Sequence, residues 1–264
     1  METMDTAEAL RDKKNQIKEA LRRLKGDEGP EEMARLKQEF QALVENANQV
    51  LIALAEQDLL AEGMSFSDLK HACDAHLALF GGMLEKHEIV APEGHPVRVF
   101  QKEHRAILRL MNAFRDAVKA AGAKGNADSA RTDIERMRAL AQKMLEAENH
   151  NVRQENTLFP ILERHGVTAP PAVMWEEHTE MKEEKKAILK ELARGDERPF
   201  EEWLDRLDTM ARILTEQFFA HSQKENHILY QTALNVITPE EWKEIAEECD
   251  QLGYFSLDEF AGEA

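Results

Sequence analysis

Apolar residues recur every three or four positions along nearly the whole chain, and no useful length alternates with a period of two. Proline and glycine stand mostly at the breaks between these periodic stretches. The pattern predicts an all-α protein. The predicted helices cover residues 5–24, 31–62, 65–86, 96–121, 128–164, 171–194 and 199–234, and a last helix begins at Thr238-Pro239.

The clearest break is the segment from Ala91 to Pro96, which contains two prolines and a glycine. We take it as a domain boundary. Residues 1–90 are expected to form an N-terminal helical module and residues 94–235 a four-helix bundle. Residues 236–264 are expected to form a C-terminal helix and tail.

Composition limits the possible functions. The 264 residues are 42% hydrophobic, enough for one large domain or two small ones, and a formal charge of −17 argues against a nucleic-acid partner. No run approaches the roughly 18 apolar residues of a membrane span, and the N-terminus lacks the basic and apolar regions of a signal peptide. Cys73 and Cys249 make no disulfide framework. We expect a soluble, cytoplasmic protein that binds neither nucleic acid nor membrane.

One pair of motifs occurs twice. A Glu-His enters an amphipathic run, and some forty residues later a histidine precedes a Glu-Asn that opens an apolar stretch. Corresponding histidines and glutamates lie 74, 71 and 70 residues apart, as duplication of a two-helix hairpin would leave them. The first copy is Glu103-His104, His150 and Glu155-Asn156, and the second is Glu177-His178, His221 and Glu225-Asn226.

Four imidazoles and two carboxylates suit a pair of first-row transition ions. Any one helical histidine is more often a core or surface residue, but the same chemistry in the same order twice favours a metal site. The predicted ligands are His104, His150, Glu155, His178, His221 and Glu225.

The spacing supports the second copy better than the first. His221 and Glu225 are four residues apart and share a helix face. His150 and Glu155 are five apart, roughly 140° around an ideal helix, so a bridging carboxylate or a π-bulge is needed to bring them together. Gln154 has the better offset but is a neutral amide and a poorer ligand, so we assign the ligand to Glu155.

These motifs together resemble the hemerythrin-like (HHE cation-binding) family over roughly residues 94–235. That family orders its ligands as His, His-x-x-x-Glu, His and His-x-x-x-Glu. The resemblance implies an up-down bundle of hemerythrin type that holds two non-haem, carboxylate-bridged iron ions and binds dioxygen or nitric oxide. The matching segments are Glu103 to Leu108, His150 to Leu162, Trp175 to His178 and His221 to Leu229.

Lys182 stands where oxygen-carrying hemerythrins place a fifth histidine. It either brings a cation towards the site or extends to solvent. A set of four histidines and two carboxylates is similar to that of the di-iron proteins associated with iron-centre repair and the nitric oxide response. The resemblance therefore favours these proteins over a simple oxygen carrier.

The stretch from Asp68 to Phe80, with Gly94-His95-Pro96, resembles a helical module that precedes such bundles in uncharacterised bacterial proteins. Within it His71, Cys73 and His76 offer either a second metal or haem site or ordinary packing. His95 lies at a predicted helix start, about 180° from His104 on a helix, so the two are poorly placed for one site.

The nearest alternative fold is a ferritin-like bundle, which uses Glu-x-x-His ligand pairs. No glutamate stands three residues before any of the ten histidines, so the hemerythrin-like assignment is favoured. Two functions remain. One is a gas-reactive or redox centre. The other is an iron-dependent sensor or iron-handling module that acts through a protein partner. The sequence leaves open whether the protein is an enzyme.

Overall fold

The computed structural model describes residues 2–23, 30–44, 49–65, 68–70 and 91–256. Throughout these residues the regular elements are helices and none is a strand, so the all-α prediction is confirmed. Within the same ranges no helix is long and apolar enough to cross a membrane. Internal contacts divide the chain into two compact units, and each combines several segments. The first comprises Met1–Val90, Phe159–Met174 and Gln223–Thr238, and the second comprises Ala91–Leu158, Trp175–Ser222 and Pro239–Ala264.

Three helices are described in the N-terminal region: α1 (Glu2–Arg23), α2 (Pro30–Val44) and α3 (Gln49–Ala61). They bury a common apolar core, and ion pairs join the exposed edges of α1 and the α3 end, such as Lys18 with Glu62 at 2.7 Å. The predicted helix over 31–62 is therefore described in two parts, with 45–48 outside the described residues. The core consists of Ile17, Leu21, Leu36, Phe40, Ile52, Ala55 and Leu59.

The predicted helix over 65–86 is described only at its start. The hydroxyl of Ser65 accepts a hydrogen bond from the backbone N–H of Asp68 at 3.1 Å, as expected of an N-cap. Residues 68–70 are helical, and the remainder of that prediction lies outside the described residues.

The predicted bundle helices have bounds within three residues of those expected. The first is α4 (Pro96–Gly122). The second contains α5 (Arg131–Glu146), α6 (Glu148–Arg153), a π-helix (Gln154–Leu158) and α7 (Phe159–Arg164). The third is α8 (Ala169–Leu192). The fourth contains α9 (Phe200–Lys224), a second π-helix (Glu225–Leu229) and α10 (Tyr230–Val236), and α11 (Pro239–Leu252) follows.

The start of α4 is determined locally. Gly94 adopts φ +79°, a conformation that a residue without a Cβ adopts at little cost, and turns the chain into the helix. His95 is the N-cap: its Nδ1 accepts from the N–H of Val97 at 3.2 Å, and Pro96 occupies the first helical position. The His95 ring also packs on Trp242 of α11, with centroids 4.5 Å apart.

Buried stripes at helical spacing carry the histidines into the bundle. On α4 the stripe runs His104, Ile107, Met111 and Phe114, and every member is buried. On α9 it runs Leu207, Ala211, Leu214, Phe218 and His221, with steps of four, three, four and three. Each histidine thus continues an apolar face, and its burial follows from the packing of that face.

Candidate metal centre

Four buried histidines lie on four helices of the bundle. Each is at most 2% exposed: His104 on α4, His150 on α6, His178 on α8 and His221 on α9. The rings of His104 and His150 have centroids 4.9 Å apart and are inclined at 65°. Those of His178 and His221 are 4.8 Å apart and inclined at 67°. The duplicated motif therefore builds the same imidazole pair twice.

In each pair, a carboxylate accepts a hydrogen bond from the Nδ1 atom of one histidine. We call Nδ1 the outer ring nitrogen and Nε2 the inner one. The Nδ1–H of His150 donates to Glu103 Oε2 at 2.8 Å, and that of His221 donates to Glu177 Oε2 at 2.9 Å. Such contacts fix the tautomer and ring orientation of metal-binding histidines and make them more basic. Glu103 and Glu177 therefore contact the histidines at Nδ1 and leave Nε2 for other partners.

Glu155 holds the outer nitrogen of a third histidine. The Nδ1–H of His178 donates to Glu155 Oε1 at 2.8 Å, and the Glu155 side chain is 26% exposed. The second bundle helix therefore supplies a carboxylate to the histidine of the third helix.

The inner nitrogens of His178 and His221 face each other at 3.1 Å. Because each ring donates its Nδ1–H to a carboxylate, both Nε2 atoms are acceptors. Two acceptors at this distance need a cation between them, either a proton or a metal ion. The donor set therefore fits a metal of the borderline class that imidazole prefers.

Glu225 belongs to two candidate ligand groups. It is fully buried, and each group places three ligand atoms within 4.8 Å of one another. A carboxylate has two oxygens, so one side chain has the atoms to serve both groups. The groups are His104, His150 and Glu225, and His178, His221 and Glu225.

Of the six predicted ligands, Glu155 alone falls in neither group. The physical reason is the position of the π-helix. Residues 148–153 are α-helical and the widened turn begins only at Gln154, one residue before Glu155, so the chain from His150 to Arg153 keeps α-helical geometry. The five-residue offset keeps its unfavourable angle, and the carboxylate of Glu155 contacts His178 instead.

Gln154 lies one turn after His150 and contacts it. The Gln154 amide nitrogen is 2.7 Å from His150 Nε2, and the side chain is fully buried. Both π-helices contain five residues and begin four residues after a histidine, at Gln154 after His150 and at Glu225 after His221. The structure thus equates Gln154 with Glu225, whereas the sequence alignment equates Glu155 with Glu225.

A buried arginine supports the first imidazole pair. Arg153 has no exposed side-chain surface, and its guanidinium donates to Glu103 Oε1 at 2.5 Å. It also lies over the rings of Phe100, at 5.4 Å, and Tyr254, at 4.5 Å. Burial alone would raise the pKa of Glu103, but hydrogen bonds and charge from His150 and Arg153 outweigh it and lower that pKa.

Sequence reasoning missed this arginine, although a signal exists. Arg153 stands three residues after His150, and Lys224 stands three residues after His221, and both cations are buried. It also missed Tyr230, whose hydroxyl donates to Glu225 Oε2 at 3.0 Å. Tyr230 lies five residues after Glu225, at the offset of an i to i+5 turn, so only knowledge of the π-helix would have indicated it.

The exposure of Lys182 decides whether its side chain points towards the site or extends to solvent. Lys182 is exposed, so it extends to solvent. The cation that enters the interior from α8 is Lys185, which is 2% exposed and donates to Glu148 Oε1 at 2.5 Å. Lys185 belongs to the buried stripe that His178 begins, seven residues further along the helix.

The other candidate histidines have separate surroundings. His95 caps α4 and packs on Trp242. The second site proposed for the N-terminal module lies outside the described residues, because its members are His71, Cys73 and His76. Cys249 is buried, and burial raises the pKa of its thiol, which lies 3.6 Å from the hydroxyl of Thr157.

The helical bundle and its histidine and carboxylate groups define a metal-binding bundle protein. A family model described as Hemerythrin HHE cation binding domain matches residues 95–233, more than half of the chain. The chain therefore belongs to the hemerythrin HHE cation-binding family, and the resemblance noted from its motifs is confirmed. A family of unknown function, DUF438, matches residues 17–86. No curated protein matches the chain.

Proposed function

We propose that this protein binds two iron ions, one in each ligand group, with the Glu225 carboxylate bridging them. The observation that carries the proposal is the repeated geometry: two imidazole pairs of nearly equal separation and inclination, each grouped with the same buried carboxylate. The family binds cations, which supports a metal at these residues. The sequence-based hypothesis adds Glu155 as a sixth ligand, and that assignment remains a prediction.

The bound irons would supply one-electron redox chemistry and open positions for a small diatomic ligand. The protein's own side chains hold the imidazoles and keep water away. Phe100 packs edge-on against His150 with centroids 5.4 Å apart, and Phe218 lies 6.0 Å from His104 and 6.3 Å from His221. Because the dielectric constant is low in such a buried setting, the hydrogen bonds from the Nδ1–H groups to the carboxylates are stronger than they would be in water.

We assign the centre to a redox or gas-reactive role, with dioxygen or nitric oxide as the ligand. Lys182 extends to solvent at the place of a fifth histidine, so α8 presents one histidine in that turn. A centre with fewer histidines keeps positions for exogenous ligands, in the way that catalytic metal sites keep one position open.

Anaerobic iron loading tests the proposal. Wild-type protein should retain two irons per chain after desalting, and its optical spectrum should change on addition of dioxygen or nitric oxide. His221→Ala should lose most of the metal, whereas His165→Ala, which alters an exposed histidine, should keep it. No retained metal would overturn the proposal. Retained zinc or manganese with no iron would overturn the redox role alone.

A second candidate is an iron-dependent sensor or iron-handling module that acts through a protein partner. The observation in its favour is the separate family match over residues 17–86, which gives the chain a distinct N-terminal region. Hydrogen exchange with and without iron tests it. Changed exchange within 17–86 on iron loading would favour this candidate, and unchanged exchange there would count against it.

A further inference from the structure

We call the group of His104, His150 and Glu225 the first half of the centre, and the group of His178, His221 and Glu225 the second half. The histidine-bearing segments at His150 and His221 carry a carboxylate residue and an amide residue in opposite order. Four and five residues after His150 stand Gln154 and Glu155, and four and five residues after His221 stand Glu225 and Asn226. Both π-helices begin at the first member of these pairs, so the positions correspond. The inner position is an amide in the first half and a carboxylate in the second.

In the first half the amide already occupies the inner nitrogen of a histidine. His150 donates its Nδ1–H to Glu103, so its Nε2 is an acceptor, and the Gln154 amide lies 2.7 Å from it. A metal ion at His150 has to displace that hydrogen bond. If the amide then turns over, it offers a neutral oxygen, which balances none of the charge of a divalent ion.

In the second half both inner nitrogens are directed at each other. His178 and His221 donate Nδ1–H to Glu155 and Glu177, and their Nε2 atoms lie 3.1 Å apart. A cation there relieves the repulsion of two acceptors and meets two imidazoles that carboxylates make more basic. Glu155 thus contributes its charge to the second half.

We propose that the two metal positions are unequal, and that Gln154 makes them so. The position of His178, His221 and Glu225 fills first and binds tightly. The position of His104, His150 and Glu225 fills second and binds at least about tenfold more weakly, the lower end of the effect of losing one supporting group at a metal site. This inference rests on the proposed two-metal function.

Anaerobic titration with cobalt(II), followed by its visible spectrum and by competition with a chelator, tests the inference. Wild-type protein should show two separate binding classes. Gln154→Glu should strengthen the weaker class about tenfold and leave the tighter class within about threefold. Gln154→Ala removes the competing amide but adds no charge, so it should strengthen the weaker class by less than Gln154→Glu does and leave the tighter class within about threefold. Glu176→Gln, an exposed carboxylate next to Glu177, is the matched control.

Two further variants locate the tight position. Glu155→Gln should weaken the tighter class about tenfold and leave the weaker class unchanged. His104→Ala should abolish the weaker class and retain the tighter one, and circular dichroism of each variant checks that the bundle is folded.

The outcomes separate this inference from the proposed function. Two equal classes in wild-type protein, or no response to Gln154→Glu, would overturn the inequality while leaving a two-metal site. One tight metal in wild-type protein and two in Gln154→Glu would support the inequality and revise the wild-type stoichiometry. Absence of any cobalt binding would overturn the proposed function itself.

Discussion

The two imidazole pairs have nearly the same ring separation and inclination but different support. In the first half, Arg153 holds Glu103 from a fully buried position between Phe100 and Tyr254. In the second half, Glu177 holds His221, and His178 depends on Glu155 from another helix. The comparison shows that the paired rings tolerate different surroundings, with a carboxylate at the outer nitrogen of His150, His178 and His221. The difference between the halves lies in the charges around the rings.

The largest expected effect follows from removing the side chain common to both groups. Glu225→Gln keeps the shape and an acceptor for the Tyr230 hydroxyl but removes the only carboxylate that both groups contain. Metal content should fall from two ions per chain to near none in elemental analysis. Metal-free Glu225→Gln should be at least as stable to urea as wild type, because it no longer buries that charge. A variant that keeps two ions would show that Glu225 is not the bridge.

The support of the first half can be tested through stability. Arg153→Met leaves Glu103 without its buried cation, and breaking a buried ion pair costs about 3–5 kcal/mol. Urea denaturation of metal-free protein should show a loss of that size. Arg115→Met is the matched control, because Arg115 pairs with Asp208 at 3.3 Å with both side chains partly exposed. That pair should contribute about 0–1 kcal/mol. Equal losses would mean that the Arg153 pair is not a special support.

The bundle was predictable because its signals are repetitive. Long stretches at helical spacing with glycine and proline between them predicted each bundle helix to within three residues. The imidazole pairs were indicated by a motif that occurs twice, which a single histidine on an apolar face would not reveal. Glu103 and Glu177 belong to the same repeated motif, in which each directly precedes a candidate ligand.

Which of the side chains of Gln154 and Glu155 faces His150 was harder to predict, because the answer depends on the backbone conformation. Spacing alone permits Gln154 or Glu155 to face His150, and the choice depends on where the widened turn begins. Side-chain chemistry favoured the carboxylate, but the α-helical geometry up to Arg153 places the amide inward. The same limit applies to α8, where Lys182 was considered as the inward cation and the buried one is Lys185.

A smaller effect concerns the cap at the start of α4. His95 accepts a hydrogen bond through Nδ1, and burial lowers its pKa from the ordinary 6.5. The His95 side chain of the unfolded chain therefore binds a proton more readily than that of the folded chain. The stability that neutral His95 contributes is complete above pH 6.5 and is lost as the pH falls below that value. His95→Ala should cost about 0.5–2 kcal/mol at pH 8 as a lost cap. Urea denaturation at pH 8 and pH 5.5 measures both effects.

His95→Asn provides the matched comparison for that cap. Asparagine is a strong N-cap and does not titrate in this range, so the variant should keep much of the stability at pH 8. It should also lose less stability than wild type between pH 8 and pH 5.5. An equal loss in both proteins would assign the pH dependence to groups other than His95.

The smallest expected effect concerns α8 and tests whether position 182 lies on the exposed face of that helix. Lys182→His places an imidazole where oxygen carriers have their fifth histidine, but the Lys182 side chain extends to solvent. The visible spectrum of the cobalt-loaded variant and the lifetime of any oxygen adduct should therefore match wild type. Lys186→His, one turn further along and also exposed, is the control for adding a histidine to this helix. A new absorption band in Lys182→His alone would show that this turn of α8 rotates inward when metal binds.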